Sequence, residues 1–140
     1  TIDLIALTFS GSAREFAGTG TTVQAAQVAR AKRAIEARLA DPALDAARVA
    51  ATMGVSESYL HRLFHTAAAT VGGHIRRRRL ERCRADLADP LRAGERITEI
   101  ALRWGFNDMP HFSRAFRAAF GQTPREWRAE ALAHGLAQRD

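Results

Sequence analysis

Cysteine, lysine and tyrosine each occur once in the 140 residues, and proline only four times. The single thiol, Cys83, excludes an internal disulfide and fits a reducing cytoplasm better than a secreted scaffold. No run reaches the roughly 18 to 20 apolar residues of a membrane span. The most apolar opening stretch, Leu4 to Leu7, is interrupted by Asp3 before it and Thr8 after it. A signal-peptide pattern is also missing, and the chain opens on Thr1 rather than Met, as expected of a piece of a longer protein. What remains is one domain, or one small domain plus a fragment, large enough at 15.4 kDa to bury a core without disulfides or metals.

The scarcity of lysine gives the charge an unusual form, because 20 of the 21 basic residues are Arg, with Lys32 the exception. The net charge of +6 is uneven along the chain. Residues 1–55 carry 6 basic and 5 acidic side chains, residues 56–128 carry 14 and 8, and residues 129–140 carry 1 and 2. The densest block, Arg76 to Arg79 with Arg82 and Arg84, faces few acids and would attract a polyanion. A solvated basic face is the plain alternative, since composition alone is a weak class signal.

β-Branched runs are few and Ala is abundant, so hydrophobic periodicity is chiefly a test for helices here. Val28, Ala31, Ala34, Ile35 and Leu39 mark one that closes at Asp41-Pro42. Ser10 to Thr22 is rich in Gly, Ser and Thr and reads as a linker or loop. Thr1 to Phe9 is a short apolar segment compatible with a strand or with the last helix of a preceding domain.

The strongest signal is an internal repeat. Arg48 to Phe64 aligns with Glu99 to Phe116 once an extra residue is allowed in the second turn, which sets Val49, Ala50, Met53 and Gly54 on Ile100, Ala101, Trp104 and Gly105. Leu60, Leu63, Phe64, Ala67 and Ala68 fall on Phe112, Ala115, Phe116, Ala119 and Phe120, an apolar stripe at helical spacing in both copies. Each unit is a short amphipathic helix, a turn at Gly54 or Gly105 and a second helix with a polar cap, Ser56 in one and Asn107 or Asp108 in the other. Pro110 is tolerated in the first turn of its helix. This is the helix-turn-helix pattern, whose second helix enters a DNA major groove.

The face opposite each stripe offers Ser58, His61, Arg62 and His65 in the first unit and Met109, Pro110, Ser113, Arg114 and Arg117 in the second. Arg62 and Arg114 occupy equivalent positions and carry the planar fork that can bond guanine O6 and N7 together. A phosphate contact or a surface ion pair is the alternative role for each. Between the units, Ile75, Leu80, Cys83 and Leu87 form a rough inward face of a connecting helix with the Arg cluster mostly outside. Such a rigid spacer would set two recognition helices about 34 Å apart, one turn of B-DNA.

Other chemistry has little support. His61 and His65 at i, i+4 with Glu57 could begin a zinc site but lack a further ligand. Cys83 has no His and carboxylate pair to activate it, and Gly18-Thr19-Gly20 lacks the rest of a phosphate loop. Trp104 and Trp127 follow core spacing, so neither an enzyme nor a cofactor or metal is expected.

The stretches SYLHRLF, RRRRLERCRADL, ITEIALRWGFNDMPHFSRAF and FGQTPREWR closely resemble the DNA-binding domain of the AraC/XylS family of bacterial transcription regulators, over roughly residues 33–128. The resemblance implies an all-α domain of about seven helices, with two helix-turn-helix units joined by a long helix and a short N-terminal remnant. It sets residues 1–30 as the tail of a sensor domain and linker, and 31–132 as the DNA-binding domain. Within that domain lie a first unit at 44–66, a joining helix at 71–88 and a second unit at 97–120, with 133–140 a C-terminal tail. It implies binding to double-stranded promoter DNA in the cytoplasm, and activation through RNA polymerase. Effector binding and homodimerisation would lie in the absent N-terminal domain. Carried onto matching positions, Ser58, His61, Arg62, Met109, Pro110, Ser113 and Arg114 would read base edges, and His65, Arg76, Arg79 and Arg117 would meet phosphates.

Two other classes stand beside this reading. A basic helical protein-interaction module would dock an acidic protein and prefer no DNA sequence, and a DNA-repair enzyme bearing such a domain would need a reactive Cys in a metal cluster. The sequence departs from the family at Ala67 to His74, where paired glycines open the joining helix and His74 stands in an aromatic's place. Each glycine costs about 1 kcal/mol relative to Ala in a helix interior and less near an end. The first unit is therefore expected to be less firmly oriented and less specific, which footprinting of Arg62→Ala and Arg114→Ala would register as unequal losses.

Overall fold

The computed structural model describes residues 13–67 and 69–137, with side chains from 22 to 135, residue 68 apart. Among the described residues there are seven α-helices and no strand: α1 (Ala13–Ala37), α2 (Ala46–Met53), α3 (Glu57–Thr66), α4 (Val71–Ala88), α5 (Ile97–Arg103), α6 (Met109–Phe120) and α7 (Pro124–Ala137). A single 3-10 turn, Pro90–Arg92, lies between α4 and α5.

Two hydrophobic cores form, one per repeat. Ala31, Ile35 and Leu39 of α1 meet Val49, Ala50 and Met53 of α2, Leu60 and Phe64 of α3, and Val71 and Ile75 from the first half of α4. The second half of α4 gives Leu80, Cys83 and Leu87 to another core with Ile100, Ala101, Phe106, Phe112 and Phe116. One helix thus belongs to both cores, because its apolar positions continue past the point where the first core ends. Burial pushes the Cys83 thiol up to about 12, so it stays protonated as a packing group.

The turns are built by the residues expected of them. Asp45 accepts from the Arg48 N–H, Ser56 from Tyr59, Thr70 from Gly73 and Asp108 from His111, each satisfying a helix N-terminal donor. Gly54 and Gly105 take φ values of 71° and 90°. At Gly105 a second constraint applies, since a Cβ there would stand 3.0 Å from the Arg79 guanidinium carbon.

Three expectations change. Residues 13–22, expected as a Gly- and Thr-rich linker, are the opening of α1. Once a helix is nucleated, each added residue gains a hydrogen bond, and that propagation carries it through Gly18 and Gly20. Residues 133–137, expected in a tail, continue α7, which Thr123 and Glu126 start with a reciprocal capping box. The stripe of the first unit also ends early: Ala67 is an exposed C-cap, so α3 is two residues shorter than α6. The expected strand or helix at residues 1–9 lies outside the described residues.

The glycine pair proves well placed. Gly72 and Gly73 fall in the first turn of α4, behind the Thr70 cap, where the interior penalty does not apply in full. His74 does an aromatic's work, with its ring centroid 5.6 Å from that of Phe64. The ground for expecting a loosely oriented first unit is thereby removed.

Burial, then the charges of Lys32 and Arg78, lower the His74 pKa below 6.5, while Glu36 and Glu81 oppose the shift. The unfolded chain therefore takes up this proton first, and stability is full above pH 6.5 and falls as pH drops through the folded value. Thermal melts at pH 5 and 7.5 should show a smaller difference for His74→Phe than for the unaltered chain.

Candidate nucleic-acid interface

The second helix of each unit, α3 and α6, buries its stripe and leaves the opposite face to solvent. On α3, Ser58, His61, Arg62 and His65 are all exposed. Arg62 and His65 meet no acid among the described residues, whereas His61 faces Glu57 at 3.5 Å. No group of three possible metal ligands converges there among the described residues.

On α6, Pro110, Ser113, Arg114 and Arg117 are exposed. Met109 is half-buried against the second core, so its side chain is partly spent on packing. At 100° per residue, Ser113 and Arg117 stand on one flank of this face and His111 on the other, with Arg114 between them. His111 is exposed and was missed by the sequence reading. Its position one turn before Arg114 could have revealed it.

The four consecutive arginines of α4 go to four different places. Arg76 is exposed and meets no acid among the described residues. Arg77 pairs with Glu81 at 3.0 Å and lies 4.9 Å over the Phe120 ring. Arg78 bridges Glu36 of α1 and Glu81 of its own helix. Burial opposes its charge, but the hydrogen bonds it donates to the two carboxylates outweigh that and hold its pKa above the ordinary value.

Arg79 departs from expectation. Its side chain donates to the carbonyls of Leu39 (2.9 Å) and Asp41 (2.5 Å), just past the end of α1, and lies against Gly105 of the second turn. Where a phosphate contact is expected, the side chain instead forms a structural clasp: its fork spans the Leu39 carbonyl and the Asp41 carbonyl, which also accepts from the Leu44 N–H. Burial lowers its pKa, as fits a cation drawn into the protein.

A second junction is built around Trp104, which packs against both cores and donates from Nε1 to Asp86 at 2.8 Å. Arg103 joins Asp86 (3.1 Å) and Glu95 (2.6 Å), and Arg128 donates to the Arg92 and Glu95 carbonyls. At the far end, Arg84 lies 4.8 Å over Phe120 and 4.4 Å over Trp127, whose Nε1 donates back to the Arg84 carbonyl. These contacts hold α6 and α7 against α4.

Residues 49–130 match the family described as a helix-turn-helix domain. A transcriptional regulator with an AraC-type DNA-binding domain from Chromobacterium violaceum has the same fold, with TM-score 0.69 and 32% identity over 81% of this chain and 96% of that one. The chain belongs to the AraC/XylS family. It is 35% identical over 101 residues to the transcriptional activator NphR of Rhodococcus sp, covering 72% of this chain and 29% of NphR. It is 40% identical over 82 residues to the regulatory protein SoxS of Escherichia coli K12, covering 57% of this chain and 73% of SoxS. The chain therefore spans less than a third of NphR but most of SoxS. As a member of that family the chain carries its characteristic domain, built on two helix-turn-helix units.

Arg79→Ala takes the fork from the partly buried Leu39 carbonyl and leaves the Asp41 carbonyl only the Leu44 N–H, a loss of about 1–3 kcal/mol. Urea denaturation should report that destabilisation. Arg79→Lys should restore little of it, since a single ammonium lacks the fork.

Proposed function

We propose that this chain is the DNA-reading part of a bacterial transcription activator, using α3 and α6 in two successive major grooves of promoter DNA. The observation that carries the reading is the pair Arg62 and Arg114, equivalent in the repeat, exposed, and without an acidic partner among the described residues. Around them, Ser58 and His61 on α3 and Pro110 and Ser113 on α6 would touch base edges, with Met109 giving an apolar edge at the start of its helix. His65, Arg76 and Arg117 would meet phosphates.

Specificity in this scheme comes from geometry. A guanidinium fork bonds a guanine edge twice, at about 1–3 kcal/mol of discrimination per contact. The fork helps only if the helix arrives at the correct depth and angle, so the packing of α4 against both units is part of the readout. A shared frame favours target sites in two parts, about one helical turn apart.

Activation through RNA polymerase belongs to the same proposal, as do action in the cytoplasm, homodimerisation and control by a small-molecule effector bound outside these residues. No described helix is long and apolar enough to cross a membrane.

Selection of binding sites from random duplex DNA tests the reading directly. The expected result is a two-part motif, with Arg62→Ala and Arg114→Ala each relaxing one part and losing similar affinity. If 6 to 10 phosphates are neutralised, affinity should fall by about 10³ to 10⁵ between 50 and 200 mM salt. Enrichment of no sequence would instead favour a basic protein-interaction module.

A further inference from the structure

Beside the outward face of α6 runs a groove of about 560 Å³, walled by the first half of α4 on one side and by the His111 flank of α6 on the other. Arg76, Arg77, His111 and Arg114 line it, over a floor that includes Ala115 and Ala118, and no acidic residue lines it. Arg77 is held in the wall by Glu81, the Phe120 ring and the Ala119 carbonyl. Arg76 and Arg114 come from different helices, are exposed, and meet no carboxylate among the described residues. Two free guanidiniums thus converge on one small-residue floor. Gly73, also in the lining, leaves the α4 side of the groove without a side chain at that point.

We propose that this groove seats the sugar–phosphate backbone of the duplex between the two major grooves, a third contact zone beside the two recognition helices. The inference rests on the DNA reading above and extends it to a site that neither repeat unit contains alone. Planar forks suit phosphate oxygens, and the small floor lets a backbone strand approach closely. Arg114 stands at the shared edge between the groove and the readout face, so a duplex engaged by α6 carries its backbone along this rim. Arg76 comes from the helix that joins the units, so a phosphate held there is fixed relative to both. The groove then acts on spacing as well as affinity: a target whose two parts are wrongly spaced loses this contact even when both base motifs are intact.

The test is an anisotropy titration of the 140-residue chain on its selected two-part duplex across a salt series. Arg76→Gln should bind several-fold more weakly and show a log–log salt slope shallower by about one, the value for one phosphate. Ala118→Glu, which puts a negative charge on the exposed floor, should weaken binding at least as much. Arg125→Gln, which removes the same charge from an exposed site on α7 outside the groove, should bind like the unaltered chain. A neutral methylphosphonate scanned through the segment between the two motifs should find a position that weakens the unaltered chain but adds nothing to Arg76→Gln. If Arg76→Gln and Ala118→Glu bind normally while Arg114→Ala is weakened, the groove proposal is overturned and the DNA reading stands. Equal losses from Arg76→Gln and Arg125→Gln would also overturn it, as an effect of net charge alone. If Arg62→Ala and Arg114→Ala are themselves without effect, the DNA reading fails and the groove proposal falls with it.

Discussion

The structure depends on a single helix serving two hydrophobic cores. Val71 and Ile75 of α4 complete the first core, and Leu80, Cys83 and Leu87, further along the same helix, complete the second. Neither unit can rotate against the other without exposing part of one of these sets. Burying a side chain of this size is worth about 1.5–3 kcal/mol, so the helix holds both units with several such contributions. The two recognition helices inherit their relative placement from that sharing.

Polar contacts then refine the junction. Arg79 ties α4 to the end of α1 and fills the space over Gly105, while Trp104 touches both cores and is held by Asp86. The acidic partners on this frame are few and mostly committed to it: Glu36 and Glu81 to Arg78, Asp86 and Glu95 to Arg103. Surface ion pairs contribute only about 0–1 kcal/mol each. Their main effect here is on charge distribution, since they neutralise the frame and leave Arg62, Arg76 and Arg114 without an acidic partner among the described residues. The preference for Arg over Lys fits the same division, because carbonyl clasps, carboxylate bridges and stacking on Phe120 and Trp127 all use a planar fork.

The repeat is the reason so much of the fold was legible. Apolar residues at helical spacing, capped by Ser56 and Asp108 and ended by Gly54 and Gly105, carry local information that survives without any tertiary context. The outward faces of α3 and α6 follow from the same spacing, because a residue opposite a buried stripe has nowhere else to point. Composition misled where it opposed cooperativity: the glycines and threonines of residues 13–22 resemble a linker, yet helix propagation carries α1 through them.

The run Arg76 to Arg79 marks the limit of reading by sequence. Four identical residues in a row carry no sign of which one is left without an acid, which one pairs along its own helix, which one bridges two acids and which one clasps the end of another helix. Their roles differ because each step of 100° along α4 turns the side chain toward a different neighbour, and those neighbours, Leu39, Glu36 and Ala119, lie about 40 residues away. The sequence by itself determined the helices, their caps, the repeat and the basic character. Only the tertiary structure decided how the arginines are divided, since a guanidinium's partner is set by what folding brings within about 3 Å of it.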